Sequence, residues 1–240
     1  ATLLGTHASR THARTSTSRR IAHRARMACS TRPSALVALG LTGSIGMGKS
    51  TVSHMLRDMN VAVLDADEVV RDLYAKDGAG ARAVAELFGD STLDASTGDV
   101  DRAALGAIVL KDDAKMAALE AAIHPLVERA REEFKRARED AGDVVAAFDI
   151  PLLFEKGYES AFDAICVVSA GSEDIQRDRV LARPGMTEEK FKAIVARQTP
   201  DAEKRARATY VVETGCSMED TRAAVRAMVD DLVAKARKSM

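Results

Sequence analysis

The fold is decided by the segment 43–50, which reads Gly43-Ser44-Ile45-Gly46-Met47-Gly48-Lys49-Ser50. It matches the pattern of a glycine, four residues and then Gly-Lys-Ser or Gly-Lys-Thr at every fixed position. The apolar run 36–41 before it predicts a parallel strand that is buried on both faces. Residues 52–59 after it carry apolar side chains at helical spacing. A strand, a glycine-rich turn and a helix in this order predict a phosphate-binding loop.

The chemistry of this loop follows from its backbone. Glycines without β-carbons let several N–H groups converge on one polyphosphate, and the following helix adds partial positive charge at its first turn. Lys49 is predicted to reach the β and γ phosphates of ATP, and the Ser50 hydroxyl is predicted to ligate Mg²⁺. A plain strand-to-helix corner is the alternative, although it does not need all four fixed positions. The predicted ATP-binding residues are Gly43, Ser44, Ile45, Gly46, Met47, Gly48, Lys49, Ser50 and Thr51.

Further apolar runs extend the sheet. Residues 61–64 form a second buried run, and β-type runs recur at 144–148, 164–168 and 209–212. Residues 79–140 instead carry apolar side chains at helical spacing, and residues 218–238 predict a closing amphipathic helix. We therefore predict an α/β fold: a doubly wound parallel sheet of the phosphate-loop NTPase type, with a helical insertion at about 75–140 in a domain spanning 36–240.

Acidic residues end two of the predicted strands. Asp65 and Asp67 leave the second strand at alternate positions, on the edge where a doubly wound sheet binds ligands. One of them can orient and deprotonate an attacking hydroxyl, a contribution of about 10²- to 10⁴-fold. The alternative is that either residue caps the helix that begins near Glu68. Asp149 ends a later strand, where many phosphate-loop enzymes keep an acid for the magnesium shell.

A set of ordered motifs resembles the dephospho-CoA kinase family. The loop is shared widely among nucleotide-binding proteins, but the elements Asp-Ala-Asp, His-Pro and Pro-Leu-Leu-x-Glu together are not. Their order and spacing along residues 36–215 match as well. Besides the loop, the motifs are Asp65-Ala66-Asp67 with Arg71, Asp101-Arg102-Ala103-Ala104-Leu105, His124-Pro125-Leu126 and Pro151-Leu152-Leu153-Phe154-Glu155.

The resemblance implies transfer of the γ-phosphoryl group of ATP to the ribose 3′-hydroxyl of dephospho-CoA, the last step of coenzyme A biosynthesis. Asp67 then matches the catalytic base and acts with Lys49. The helical insertion corresponds to a CoA-binding domain, and residues 171–200 correspond to a mobile lid, in which Arg179 and Arg183 approach ATP. The substrate-binding residues implied are Asp65, Arg71, Arg102, His124, Pro151 and Leu152. The cofactors implied are ATP and Mg²⁺.

Several of these residues have plainer alternatives. Arg71 shares a helical face with Asp67, but it can also be a solvated surface arginine. Pro125 suggests that a helix starts there with His124 as its cap. Pro151 and Leu152 can contact the acceptor substrate. Ordinary packing of the chain explains a proline and a leucine at these positions about as well. Arg179 and Arg183 lie four residues apart on one helical face, but charge runs often form solvated faces.

The chain departs from the family pattern in two places. Pro184-Gly185 follows Arg183 where the family usually has an acidic residue beside glycine or another acid, so the stiffness of the lid is in question. Glu213-Thr214-Gly215 stands where the family usually has Asn-Asn/Ser-Gly beside the adenine. The second departure puts the contacts to the base in doubt and leaves the phosphoryl chemistry unaffected.

Charge is distributed unevenly along the chain. Residues 1–35 contain seven arginines, several hydroxyl residues and no acidic residue, whereas the formal net charge of the chain is −1. Such a segment resembles a transit peptide, so we predict import into a mitochondrion or chloroplast, with the cytoplasm as the alternative. The net charge is close to zero and the sequence has no apolar run long enough to span a membrane. We therefore predict that the protein binds neither nucleic acid nor membranes. The oligomeric state is not determined by the sequence, and a monomer is favoured.

Two rival functions remain open from sequence. Guanine-nucleotide switches usually read their base with Asn-Lys-x-Asp, and the chain has a single asparagine, Asn60. Another small-molecule kinase, acting on nucleosides, nucleotides or sugar acids, is opposed only by the resemblance motifs. A non-catalytic ATP-binding module is the other rival, because a phosphate loop alone does not require an acceptor.

Overall fold

A five-stranded parallel sheet forms the centre of the computed structural model, which describes residues 36–238. The strands pair in the order β2-β3-β1-β4-β5, so β1 lies at the centre. Each parallel connection requires a crossover. Helices supply it between β1 and β2, between β2 and β3 and between β4 and β5, whereas the segment between β3 and β4 contains only a short 3-10 turn. The strands are β1 Val37–Thr42, β2 Ala62–Asp65, β3 Val145–Asp149, β4 Ala164–Ser169 and β5 Tyr210–Glu213.

The helices follow the predicted order closely. The closing helix has the predicted bounds, and three helices fill the predicted insertion between β2 and β3. Two short 3-10 turns, Asp90–Thr92 and Glu159–Ala161, complete the described elements. The helices are α1 Lys49–Asp58, α2 Ala66–Leu73, α3 Ala79–Phe88, α4 Arg102–Val109, α5 Asp113–Ala141, α6 Glu173–Leu181, α7 Glu188–Val195, α8 Asp201–Arg207 and α9 Met218–Lys238.

Both faces of the sheet are covered, which explains why the strands are continuously apolar instead of alternating. Leu39 and Leu41 of β1 point into a cluster with α1 and α9, which contribute Met55 and Met228. Ala38, on the opposite face, packs in a second cluster with residues of β3, β4 and the segment after β3. The predicted doubly wound α/β architecture is therefore confirmed.

The inserted helices have a cluster of their own, built on residues Ala81, Val84, Leu105, Val109 and Ile123. Helix α5 corrects one prediction, because it runs without interruption through Pro125 and does not begin at His124. A proline inside a helix removes one hydrogen bond and costs about 3 kcal/mol. Burial of the α5 side chains against α3 and α4 offsets that cost, and local sequence rules do not include such packing.

Candidate active site

The phosphate loop connects β1, the central strand, to the first residue of α1. Gly48 precedes the helix in the left-handed region, with φ 87° and ψ 17°, and no side chain caps the helix. The first turn of α1 also contains no acidic residue. The first backbone N–H groups of a helix have no partner within it. This end of α1 therefore offers uncapped donors and partial positive charge to an anion.

Two glycines in the loop are required by close packing. A β-carbon on Gly43 would lie 2.6 Å from the carbonyl oxygen of Val168 in β4. Gly46 has φ +78°, and a β-carbon there would lie 2.6 Å from the Val180 Cγ2 atom of α6. These contacts leave no room for a side chain at residue 43 or 46. Glycine at both residues therefore allows the loop to pack against β4 and α6.

An ion pair joins the loop lysine to the end of β3. The Lys49 ammonium donates to Asp149 Oδ1, and the Asp149 side chain is 3% exposed whereas that of Lys49 is 18% exposed. Asp149 lies opposite Leu41 of β1 and opposite Asp65 of β2 in the sheet register. Burial raises the pKa of Asp149, Lys49 offsets part of that rise, and the charges of Asp65 and Asp67 add to it. The three carboxylates are therefore close enough to interact electrostatically beside the loop lysine.

Asp149→Asn is expected to unfold at the same temperature as the unmodified chain or higher at neutral pH. A carboxyl group whose pKa is raised on folding favours the folded state while protonated, and this contribution is lost as pH rises through the raised pKa. Asparagine does not titrate, so the variant does not lose stability in this way. The melting temperature of the variant minus that of the unmodified chain should therefore increase as pH rises from about 4. Calorimetric unfolding across this range measures the effect. A variant that melts lower at neutral pH would show that the Lys49 pair outweighs burial.

The two acids of the Asp-Ala-Asp motif have different surroundings. Asp65 Oδ1 accepts hydrogen bonds from the backbone N–H groups of Asp67 (2.9 Å) and Glu68 (3.3 Å), so Asp65 caps α2. Asp67 lies in the first turn of α2, and its side chain is exposed. The capping alternative thus applies to Asp65. The substrate role of Asp65 and the catalytic role of Asp67 stay predictions.

Two glutamines attach the predicted lid to the loop. Gln176 of α6 is buried, and its Nε2 donates to the carbonyl oxygen of Ile45 at 2.8 Å. The N–H of Ile45 donates in turn to Gln198 Oε1 at 3.1 Å. Both backbone groups of one loop residue are therefore satisfied by side chains from the two ends of the segment 171–200. No role for either glutamine was predicted; the available signal for Gln176 is its helical spacing from the buried Val180.

Arg179 is connected to the loop through Thr214. Its guanidinium donates to the Thr214 hydroxyl at 2.9 Å and to the Thr214 carbonyl oxygen at 2.6 Å. The hydroxyl of Thr214 donates to the carbonyl oxygen of Met47 at 2.8 Å. The residue that departs from the family pattern is thus buried and connects a lid arginine to the loop. Arg183, the other predicted lid arginine, is exposed.

Three predicted substrate residues have partners of their own in the structure. Arg71 Nη2 contacts Glu68 Oε1 at 2.8 Å on the surface of α2. The Arg102 guanidinium lies over the ring of Tyr74, 5.6 Å from its centroid. His124 lies 3.9 Å from Glu128 and 5.9 Å, centroid to centroid, from the Tyr158 ring. These contacts leave their predicted substrate roles untested.

The Pro-Leu-Leu corner lies next to the first strand. The Pro151 carbonyl oxygen accepts a hydrogen bond from the Thr42 hydroxyl at 3.2 Å. Leu152 is 40% exposed. Leu153 and Phe154 turn inward and are buried. The corner thus exposes one apolar side chain to solvent shortly after the carboxyl end of β3.

The parallel sheet, the uncapped phosphate loop and the buried carboxylate paired with Lys49 define a nucleotide-binding protein of the phosphate-loop class. The family model described as dephospho-CoA kinase matches residues 37–220. The chain therefore belongs to the dephospho-CoA kinase family, and the resemblance inferred from its motifs is confirmed.

Individual relatives agree with this assignment. The dephospho-CoA kinase of Mesorhizobium japonicum is 49% identical over 197 residues, which cover 82% of this chain and 97% of that protein. The enzyme of the same name from Novosphingobium aromaticivorans is 49% identical over 199 residues, covering 83% and 94%. A crystal structure of a Thermus thermophilus protein matches with a TM-score of 0.65 and 36% identity, covering 82% of this chain and 97% of that one. The chain is a kinase that uses ATP.

The predicted organellar location is wrong. The relatives are bacterial enzymes, including those of Mesorhizobium japonicum and Novosphingobium aromaticivorans, and the cytoplasmic alternative agrees better with them. The prediction failed because composition reports only charge and hydroxyl content, whereas import requires recognition by a receptor. The segment 1–35 lies outside the described residues. Among residues 36–238, no helix is long and apolar enough to cross a bilayer.

Proposed function

We propose that the chain transfers the γ-phosphoryl group of ATP to the 3′-hydroxyl of the ribose of dephospho-CoA, giving CoA and ADP. The observation that best supports this is the pairing of Lys49 with Asp149. Asp149 lies opposite Asp65 in the sheet, and Asp65 is two residues before Asp67 in the chain. This arrangement places the loop lysine and the acidic end of β2 at one edge of the sheet. The family membership of the chain supports the choice of acceptor.

The proposed reaction is an in-line displacement at the γ-phosphorus. Asp67 accepts the proton of the ribose hydroxyl while the oxygen of that hydroxyl bonds to phosphorus and the bond to the β–γ bridging oxygen breaks. ADP leaves with the electrons of that bond. The loop N–H groups and the Lys49 ammonium stabilise the negative charge that develops on the phosphoryl oxygens. Arg179 and Arg183 of the lid add positive charge and help to exclude water, which would otherwise accept the phosphoryl group.

The magnesium ion fits the donor set at this edge. Mg²⁺ prefers hard oxygen ligands, and the Ser50 hydroxyl and the Asp149 carboxylate supply them next to the loop. Ser50 and Asp149 would hold the ion. When bound, the ion neutralises charge on the β and γ phosphates.

The acceptor side is proposed to be built from the insertion and the corner after β3. Residues 75–140 would bind the CoA portion. Arg102 and His124 from this insertion, together with Arg71 of α2, would contact the substrate. Asp65, Pro151 and Leu152 would line the side nearer the loop. That the chain acts as a monomer stays a prediction.

One coupled assay tests the proposal. Purified chain is given ATP, Mg²⁺ and either dephospho-CoA or one member of a panel of nucleosides, nucleotides and sugar acids. We expect ADP release only with dephospho-CoA, and mass spectrometry with chemical mapping should place the new phosphate on the ribose 3′-oxygen. ADP release with a nucleoside alone would support the rival kinase. ATP binding without turnover on any acceptor would support a non-catalytic module.

A further inference from the structure

Lys204 of α8 is a fully buried lysine with two partners near the phosphate loop. Its side chain is 0% exposed. Its ammonium donates to the Ser44 hydroxyl at 3.1 Å and lies 2.9 Å from Glu155 Oε1. Lysine is almost never fully buried unless it is paired, because removing an ammonium from water costs several kcal/mol. These partners therefore explain how the charge is accommodated, but not why a charge is present.

Glu155 is the anionic member of this pair. Its Oε1 atom also accepts a hydrogen bond from the N–H of Thr199 at 2.8 Å. Burial raises the pKa of Glu155, but hydrogen bonds from Lys204, from its own backbone and from Thr199 together outweigh burial and hold the pKa below its ordinary value. The Oε2 atom is buried and has no hydrogen-bond partner within residues 36–238. Glu155 is thus ionised at neutral pH and depends on Lys204 for its compensating charge.

The pair joins three segments that are distant in sequence. Ser44 is the second residue of the loop, Glu155 ends the Pro-Leu-Leu corner, and Thr199 follows the lid helices. Gln198, next to Thr199, accepts the hydrogen bond from the Ile45 N–H. The first half of the loop is therefore connected through side chains to the acceptor-side corner and to the base of the lid.

We propose that Lys204 is a positioning residue for the phosphate loop, acting through Ser44 and Glu155. A loop held in its binding conformation before the nucleotide arrives does not lose conformational freedom on binding, so its affinity is higher. A buried ion pair is a weak source of stability, since apolar residues of similar volume often stabilise a protein as well or better. An ammonium at this position instead provides directed hydrogen bonds to two segments at once. The proposal rests on the proposed function only in that the loop binds ATP.

The decisive variant is Lys204→Met combined with Glu155→Gln, which removes the ammonium without leaving a buried carboxylate unpaired. We expect the dissociation constant for Mg·ADP, measured by titration calorimetry, to rise about tenfold, because without the ammonium the binding conformation of the loop is populated about ten times less and the apparent affinity falls by the same factor. KM for ATP should rise similarly, while KM for the acceptor should change less than about twofold. Amide hydrogen exchange should accelerate in the peptide that contains residues 43–50.

Two further variants make the outcome clear. Ser44→Ala removes the hydroxyl that accepts from Lys204 and leaves the ion pair in place. It should weaken Mg·ADP binding, and combining it with the double variant should weaken binding by less than the product of the two separate effects, because both remove the same contact. Lys238→Met changes an exposed lysine at the end of α9 and should leave binding and exchange unchanged.

Unchanged Mg·ADP affinity and loop exchange in the double variant or in Ser44→Ala, even with a lower melting temperature, would overturn the proposal and leave Lys204 a purely structural residue. Because Mg·ADP binding does not involve the acceptor, this result is independent of whether dephospho-CoA is the substrate. The assay with the acceptor panel tests that question separately.

Discussion

Lys49→Ala is expected to lower the rate of phosphoryl transfer by about 10³-fold or more while the fold stays intact. Removing one preorganised donor from a site where charge develops costs about 10²- to 10³-fold, and Lys49 carries a full charge. Alanine is the best helix former, so α1, which begins at Lys49, should keep its first turn. Asp149 would lose its cationic partner but can lose its own charge by binding a proton, because burial already raises its pKa.

The measurement is kcat in the coupled assay, with circular dichroism and thermal unfolding to check the fold. Lys238→Ala serves as the matched control, because it removes an exposed lysine far along the chain from the loop. Near-normal turnover of a folded Lys49→Ala protein would refute the assignment of segment 43–50 as the catalytic phosphate loop.

Asp67→Asn is expected to lower kcat by about 10²- to 10⁴-fold with little change in ATP affinity. Asparagine has the size and shape of aspartate but cannot accept the proton of the ribose hydroxyl. Asp67 is exposed in the first turn of α2, and Asp65 caps that helix, so the substitution should not affect the fold. The loss should therefore appear in the chemical step and not in nucleotide binding.

Single-turnover rates and nucleotide titrations separate these two quantities. Asp72→Asn, an exposed acid further along α2, is the matched control and should behave as the unmodified chain. Weaker ATP binding with normal turnover in Asp67→Asn would instead indicate a local structural role for the carboxylate.

Local sequence patterns predicted most of the framework. The central strand was predicted as 36–41 and spans Val37–Thr42, and the closing helix matches its predicted bounds. These elements were predictable because burial on both faces and amphipathic spacing appear directly in consecutive residues. Pro125 was misjudged because its local penalty is outweighed by packing between α5 and its neighbours.

The contacts around the loop were much less accessible to prediction. Lys204 lies in the charged run 201–207, in which every local rule predicts a solvated face, yet it is the largest fully buried side chain within residues 36–238. Thr214 stands out in sequence only as a departure from a pattern, and its bonds to Arg179 and Met47 join three segments.

From the sequence alone one can determine the phosphate loop, the parallel sheet that holds it, the acids at the strand ends and the family to which the chain belongs. These follow from short-range spacing and from the unusual backbone freedom of glycine. Only the tertiary structure decides that Asp149 pairs with Lys49, that Asp65 is a cap and that Lys204 joins the loop to the corner after β3. The physical reason is that such pairs depend on which distant segments the crossovers bring to one edge of the sheet, and no local pattern contains that information.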